Sequence, residues 1–102
     1  MKIENVAAAA RGYVAEALGL EGAELEDFVD SFLVSWKQAA DDFAAQAESP
    51  DLAKIREINH RVRGLLGTVE IPALAAVNEE INAAAKAGDL AAVKAAIAKI
   101  LA

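Results

Sequence analysis

The chain of 102 residues contains no cysteine, two prolines, five aromatic residues and a single histidine. The absence of cysteine excludes a disulfide scaffold and any metal site built on thiolates. No apolar run approaches the roughly eighteen residues that a membrane span needs. The run from Val6 to Ala10 ends at Arg11, which makes it too short for the apolar core of a signal peptide. These absences predict a soluble, cytoplasmic protein.

The chain also has an excess of acidic residues. Sixteen acidic residues against ten basic ones give a formal net charge of −6 and a pI near 4.7. Nucleic acids and anionic membranes attract basic surfaces, so neither is expected as a main partner.

What the chain has in abundance is alanine. Hydrophobic residues make up 56% of the sequence, and 26 of them are Ala against 25 Leu, Ile and Val together. Alanine favours helix, whereas strands are rich in β-branched and aromatic residues. We therefore expect an all-α fold.

Apolar residues recur at alternating threes and fours throughout, and turn residues divide the chain into five segments. The second, about 23–47, carries most of the aromatic mass on one stripe and is typical of a core helix. Short links between helices favour antiparallel neighbours. The sequence thus predicts one helical domain over 1–102, with a capping helix in 1–20 and an antiparallel up-down four-helix bundle in 23–101.

Two turn sequences carry helix signals. In Ser49-Pro50-Asp51, we expect Ser49 to cap the third helix, Pro50 to take its first position and Asp51 to favour the positive end of the helix dipole. Pro72 can begin the fourth helix. Gly88-Asp89 reads as a helix stop followed by a new cap.

His60 lies on the third segment. At about 100° per residue it points roughly 160° away from the mean direction of the apolar positions of that segment, so it should face water. Gly64 and Gly67 lie on the same face, within roughly 40° of His60. A glycine inside a helix costs about 1 kcal/mol relative to alanine. Either another helix packs closely there or, as we favour, the bare backbone lets a partner protein approach the imidazole.

The same segment is locally basic, with four basic residues against two acidic ones. Arg56 and Arg63 lie four before and three after His60, so both can reach over its ring. A neutral imidazole is a nucleophile at cellular pH, and guanidinium groups beside it suit the oxygens of a transferring phosphoryl group. Lys54 and Arg61 are the basic residues most readily explained as solvated surface.

The sequence has few residues that could support other kinds of site. One histidine and no cysteine leave only carboxylates for a metal, so no metal site is expected. The few hydroxyl residues have only His60 as a base, and no Gly-rich phosphate loop is present.

The residues His60-Arg61-Val62-Arg63-Gly64 resemble the His-x-x-Lys/Arg-Gly signature of histidine-containing phosphotransfer (HPt) domains. The resemblance extends from the aromatic helix at Leu25 to the last helix, about three quarters of the chain. HPt domains are four-helix bundles with an exposed histidine in mid-helix and a glycine one turn later. Glu70, where many members have a second glycine, departs from the pattern.

The resemblance implies roles for single residues. His60 matches the phosphoryl acceptor, Arg63 the basic residue that steadies the phosphoryl group, and Gly64 the position left open for a docking partner. Asn82 matches a polar residue on the following helix that can hydrogen-bond near the histidine, and Asn78 could assist it.

The resemblance also implies partners. They are a response-regulator receiver domain, a sensor histidine kinase, or both, docking on a face that includes Arg56, Arg61, Gly64 and Gly67. No cofactor is expected in this chain, since Mg²⁺ would belong to the receiver domain, and the chain is expected to be a monomer.

Three functions stay open at this level. The first is a phosphorelay intermediate, a phosphocarrier rather than a stand-alone enzyme, that accepts a phosphoryl group on His60 and passes it to a receiver aspartate. The second is an HPt-like adaptor that binds receiver or kinase domains without transfer. The third is a homodimerising bundle, which the glycine-flanked histidine argues against.

Overall fold

The computed structural model describes residues 1–102, and every regular element in it is an α-helix. The all-α prediction and the division into five helices are confirmed. No helix is both long enough and apolar enough to cross a membrane. The helices, in chain order, are α1 Ile3–Glu16, α2 Gly22–Gln46, α3 Leu52–Thr68, α4 Pro72–Lys86 and α5 Leu90–Leu101.

Helices α2 to α5 form a closed ring of neighbours. Helix α2 packs against α3 and α5, and α4 packs against the same two from the other side. Helix α1 packs mainly on α2, outside this ring. The molecule is elongated, 44 Å by 20 Å by 20 Å, because the 25 residues of α2 alone span about 37 Å at 1.5 Å per residue.

The core lies where the apolar stripes of the helices meet. The stripe of α2 buries Phe32, Trp36 and Phe43, as its three-four spacing predicted, whereas Leu25 and Phe28 are only half-buried. Helix α3 contributes a second stripe, with Ile55, Ile58 and Val62 all buried. The opposite face of α3 is thereby left to water.

The start of α3 differs from the prediction. The helix begins at Leu52, and its cap is Asp51, whose carboxylate accepts hydrogen bonds from the backbone N–H groups of Ala53 (3.0 Å) and Lys54 (3.3 Å). The prediction that Ser49 caps and that Pro50 takes the first helical position was wrong. The Asp51 N–H donates to Oε1 of Gln46 at 2.8 Å, which holds Asp51 in an extended conformation just before the helix.

The other predicted boundary residues are confirmed. Pro72 is the first residue of α4. Gly88 has a φ of +68°, a left-handed conformation that favours glycine, and it ends the turn after α4. Asp89 then caps α5 by accepting from the N–H of Ala92 at 3.0 Å.

Three exposed ion pairs connect neighbouring helices at the surface. They join α1 to α2, α3 to α2 and α5 to α4, and each contributes little to stability because water screens it. In the first, the hydrogen bond from the guanidinium holds the pKa of Glu26 below its usual range. The pairs are Arg11–Glu26, Arg61–Asp42 and Lys99–Glu80.

We predict that Asp51→Ala lowers the free energy of unfolding by about 1 kcal/mol, the usual cost of losing a capping side chain. The matched control is Ser49→Ala, which removes a similar polar group two residues earlier and should change the free energy by less than about 0.5 kcal/mol. Urea unfolding followed by circular dichroism measures both. The assignment of the cap fails if the Ser49 variant is the less stable of the two.

Candidate functional site

His60 lies in the middle of α3 with its side chain exposed. The buried stripe of α3 fixes how the helix is rotated, and His60 is on the side of the helix away from that stripe. The phase of the apolar residues therefore predicted the exposure of His60 correctly. His60 is attached to a regular, packed helix rather than to a loop, and this favours a well-defined position of its backbone.

His60 borders an open groove of about 520 Å³ between α3 and α4. Seven of its eight lining residues are polar or charged. The groove brings together five of the residues singled out in the sequence, namely His60, Arg56, Arg63, Asn78 and Asn82, together with Ala53, Glu57 and Asn59. Two consecutive helices thus supply one polar concavity beside the only histidine of the chain.

The two arginines of the groove have no ion-pair partner. Neither Arg56 nor Arg63 takes part in any of the three ion pairs of the chain. Glu57 adds the one carboxylate of the groove, so its formal charge with His60 neutral is +1 in a chain of −6. The groove is therefore a local basic site on an acidic molecule, and it favours an anionic ligand.

Arg61 belongs to a different surface. Its guanidinium forms the ion pair with Asp42 of α2. With Gly64 it lines a second groove of about 390 Å³ between α2 and α3, next to Ser35, Gln38 and Thr68. His60 thus stands on a ridge, with Arg56 and Arg63 on its α4 side and Arg61 and Gly64 on its α2 side. Gly67 is exposed one turn after Arg63 and lines neither groove.

The fold itself does not require Gly64 or Gly67. Both have helical backbone angles, and a Cβ atom added at either one would meet no atom within 4 Å outside its own helix. No other helix packs closely on them, which removes the alternative explanation considered from the sequence. At both positions the surface of α3 near His60 carries no side chain and is open to solvent.

Sequence analysis missed Asn59, which is 6% exposed and lies directly before His60. Its side-chain N–H group donates to the backbone oxygen of Asn78 at 3.0 Å. The side-chain N–H group of Asn78, itself 4% exposed, donates to the backbone oxygen of Asn59 at 2.9 Å and to its Oδ1 at 2.7 Å. The sequence contains a signal for this pair, since each asparagine is a polar residue on the apolar stripe of its helix.

Asn82 lies one turn after Asn78 on α4, half-buried at the edge of the groove. Its amide thus faces the same concavity as His60 and can offer a hydrogen bond to a group held there. No group of three or more His, Cys, Asp or Glu side chains is arranged to hold a metal ion.

No family model, no curated protein and no solved structure matches this chain. What the site can do therefore follows from its own residues and their geometry. An exposed imidazole, two guanidinium groups without an ion-pair partner and a side-chain amide are groups that can donate hydrogen bonds to a tetrahedral or planar oxyanion.

We predict that Gly64→Ala and Gly67→Ala each raise the free energy of unfolding by about 1 kcal/mol, because alanine is the better helix former and finds open space at both positions. In thermal unfolding this corresponds to roughly 4–8 °C per substitution for a domain of this size. The matched control is Gly88→Ala, which should lose stability because its φ of +68° strains an alanine. Destabilisation by the two helix substitutions would show that the fold needs these glycines.

Proposed function

We propose that this chain is a phosphorelay intermediate of the HPt type, which accepts a phosphoryl group on His60 from a receiver-domain aspartate or a kinase and passes it to another receiver aspartate. The observation that carries the proposal is the single exposed histidine on a helix ridge, beside a groove whose two arginines form no ion pair. Such a protein carries the group, while its partner supplies the catalytic metal.

The transfer step balances without a cofactor in this chain. Nε2 of the neutral imidazole attacks the phosphorus of an aspartyl phosphate, a P–N bond forms, and the acyl P–O bond breaks. The carboxylate of the donor leaves with the electron pair, and the phosphoimidazole keeps its proton on Nδ1. Reversal of the same step on a second carboxylate delivers the group to the next receiver.

Arg63 and Arg56 stabilise the charge on the transferring group. They lie within one helical turn of His60 on the α4 side, so their N–H groups can donate to phosphoryl oxygens above the ring. Glu57 opposes them with one negative charge, which keeps the groove from holding free phosphate tightly. Asn82, on the facing helix, completes the ring of donors.

The architecture supports a rigid carrier. We infer that the ring formed by α2, α3, α4 and α5 is an antiparallel up-down four-helix bundle, because consecutive helices are neighbours and the links 69–71 and 87–89 are short. In such a bundle α3 presents one continuous outer ridge. A receiver domain docks on that ridge over His60, Gly64 and Gly67, with Arg61 beside it, and the cytoplasm is the compartment where such partners are found.

We predict that incubation with a phosphorylated receiver domain transfers label to this chain, and that the label is stable in alkali and labile in acid, as expected of a phosphohistidine. His60→Gln should abolish the label without changing the thermal midpoint by more than a few degrees, because the side chain is exposed. Lys54→Gln, an exposed substitution on the same helix, is the control and should keep the label.

The same experiment separates transfer from binding alone. Label that persists in His60→Gln contradicts the proposal. An adaptor without transfer would take no label, would bind receivers equally with and without His60, and would lose binding in Gly64→Gln, whose side chain covers the docking ridge. Surface plasmon resonance on the two variants measures that difference.

We predict further that the groove arginines act on the chemistry itself. With phosphoramidate as a small phosphoryl donor, Arg63→Gln and Arg56→Gln should each slow phosphorylation of His60 by roughly tenfold, a change of about 1.4 kcal/mol in the barrier. Arg61→Gln removes the same charge from the same helix and should leave this rate within about twofold, since Arg61 is paired with Asp42. Equal effects of all three would indicate a general loss of positive charge instead of a site. Phosphorus NMR follows the reaction.

A further inference from the structure

The strongest feature that the proposed function leaves unexplained is the pair of buried asparagines behind His60. Asn59 and Asn78 exchange three hydrogen bonds of 2.7–3.0 Å across the α3–α4 contact, and both side chains are almost fully buried. Each side chain reaches the main chain of the other helix. The arrangement is a reciprocal clamp between two backbones, not merely a contact between side chains.

Stability alone does not explain the clamp. A hydrogen bond within a protein adds little net stability, because the unfolded chain bonds to water instead, and replacing both partners of a buried pair by apolar groups is often neutral or stabilising. The facing stripes of α3 and α4 are otherwise apolar, with Ile55, Ile58, Val77 and Ile81 around the pair. A single polar pair in an apolar contact specifies one register, because any slip leaves buried polar groups without partners.

The two helices whose register the pair specifies, α3 and α4, are the walls of the candidate site. Asn59 shares a peptide unit with His60, so the bond from Asn78 to the backbone oxygen of Asn59 holds the main chain at the nucleophile itself. Asn78 lies one turn before Asn82 on the other wall of the groove. The clamp therefore joins the two walls at the level where a phosphoryl group would sit.

The clamp also leaves one acceptor in the groove. Oδ1 of Asn78 accepts no hydrogen bond from the chain, yet no buried side-chain oxygen or nitrogen lacks a partner. This oxygen is therefore accessible to water on the groove side, where Asn78 forms part of the lining.

We infer that Asn59 and Asn78 are positioning residues, which set the register of α3 against α4 and thereby hold His60, Arg63 and Asn82 around one phosphoryl position. The effect on reaction rate rests on the proposed function, whereas the effect on register does not. Neither asparagine touches the reacting atoms in this scheme.

The test combines a distance and a rate. The chain has no cysteine, so Lys54→Cys and Glu79→Cys on the exposed faces of α3 and α4 take two nitroxide labels at unique positions. Electron paramagnetic resonance then gives the distribution of distances between the labels in the parent and in Asn59→Leu/Asn78→Leu. Phosphorylation of His60 by phosphoramidate is measured on the unlabelled forms.

We expect the double leucine variant to keep or raise the thermal midpoint, to show a shifted or broadened distance distribution, and to be phosphorylated about tenfold more slowly. Single substitutions should be less stable than the double one, because each leaves a buried amide without its partner. Asn59→Ala/Asn78→Ala provides the same measurements if the larger leucine side chains prevent folding.

A folded double variant that keeps the parent distance, or that changes the distance but not the rate, overturns the inference. Failure of both double variants to fold does so too, since the pair would then be a general requirement of the fold. If the parent takes a phosphoryl group neither from phosphoramidate nor from a phosphorylated receiver domain, the proposed function fails, and the distance measurement alone decides whether the pair sets the register.

Discussion

The structure depends on the burial of one apolar stripe along α3. Ile55, Ile58 and Val62 are held against the neighbouring helices with at most 6% of their surface exposed. Turning α3 to hide His60 would return these side chains to water at a cost of about 1.5–3 kcal/mol each. The core thus orients the histidine outward. The same rotation places Arg56 and Arg63 toward α4, and Arg61 and Gly64 toward α2.

In the contact between α3 and α4, the apolar and the polar interactions have different effects. The apolar stripes hold the helices together, but apolar contacts are non-directional and specify the alignment less strictly than buried hydrogen bonds do. The Asn59–Asn78 pair adds little net energy and accepts only one alignment. A site made of groups from two helices needs such an alignment, since an error of about 1 Å is costly in a reacting geometry. In this alignment no fully buried side-chain nitrogen or oxygen lacks a hydrogen-bond partner.

The helix surface around His60 is less stable than the fold would allow. Two glycines occupy helical positions where alanine would fit and would stabilise, in a chain that uses alanine at 26 positions. The groove beside them concentrates positive charge on a molecule of net charge −6. A local excess of positive charge favours an anionic group at this groove. Exposed backbone and local positive charge beside His60 are what the proposed phosphoryl carrier would need.

The amino-acid sequence by itself determined the all-α class, the five helices to within a few residues and the outward orientation of His60. These follow from the periodicity of apolar residues and from turn residues, which are local features that can be recognised in the sequence. It did not predict Asp51 as the cap of α3, because that choice depends on the hydrogen bond from the Asp51 N–H to Gln46 of the preceding helix.

Only the tertiary structure decided how the helices face one another. It paired Arg61 with Asp42, separated that arginine from the groove of Arg56 and Arg63, and brought Asn59 to Asn78 across 19 residues of sequence. Helical phase states which side of a helix is buried, but not which neighbour it meets. That neighbour is selected by the packing of all the stripes at once.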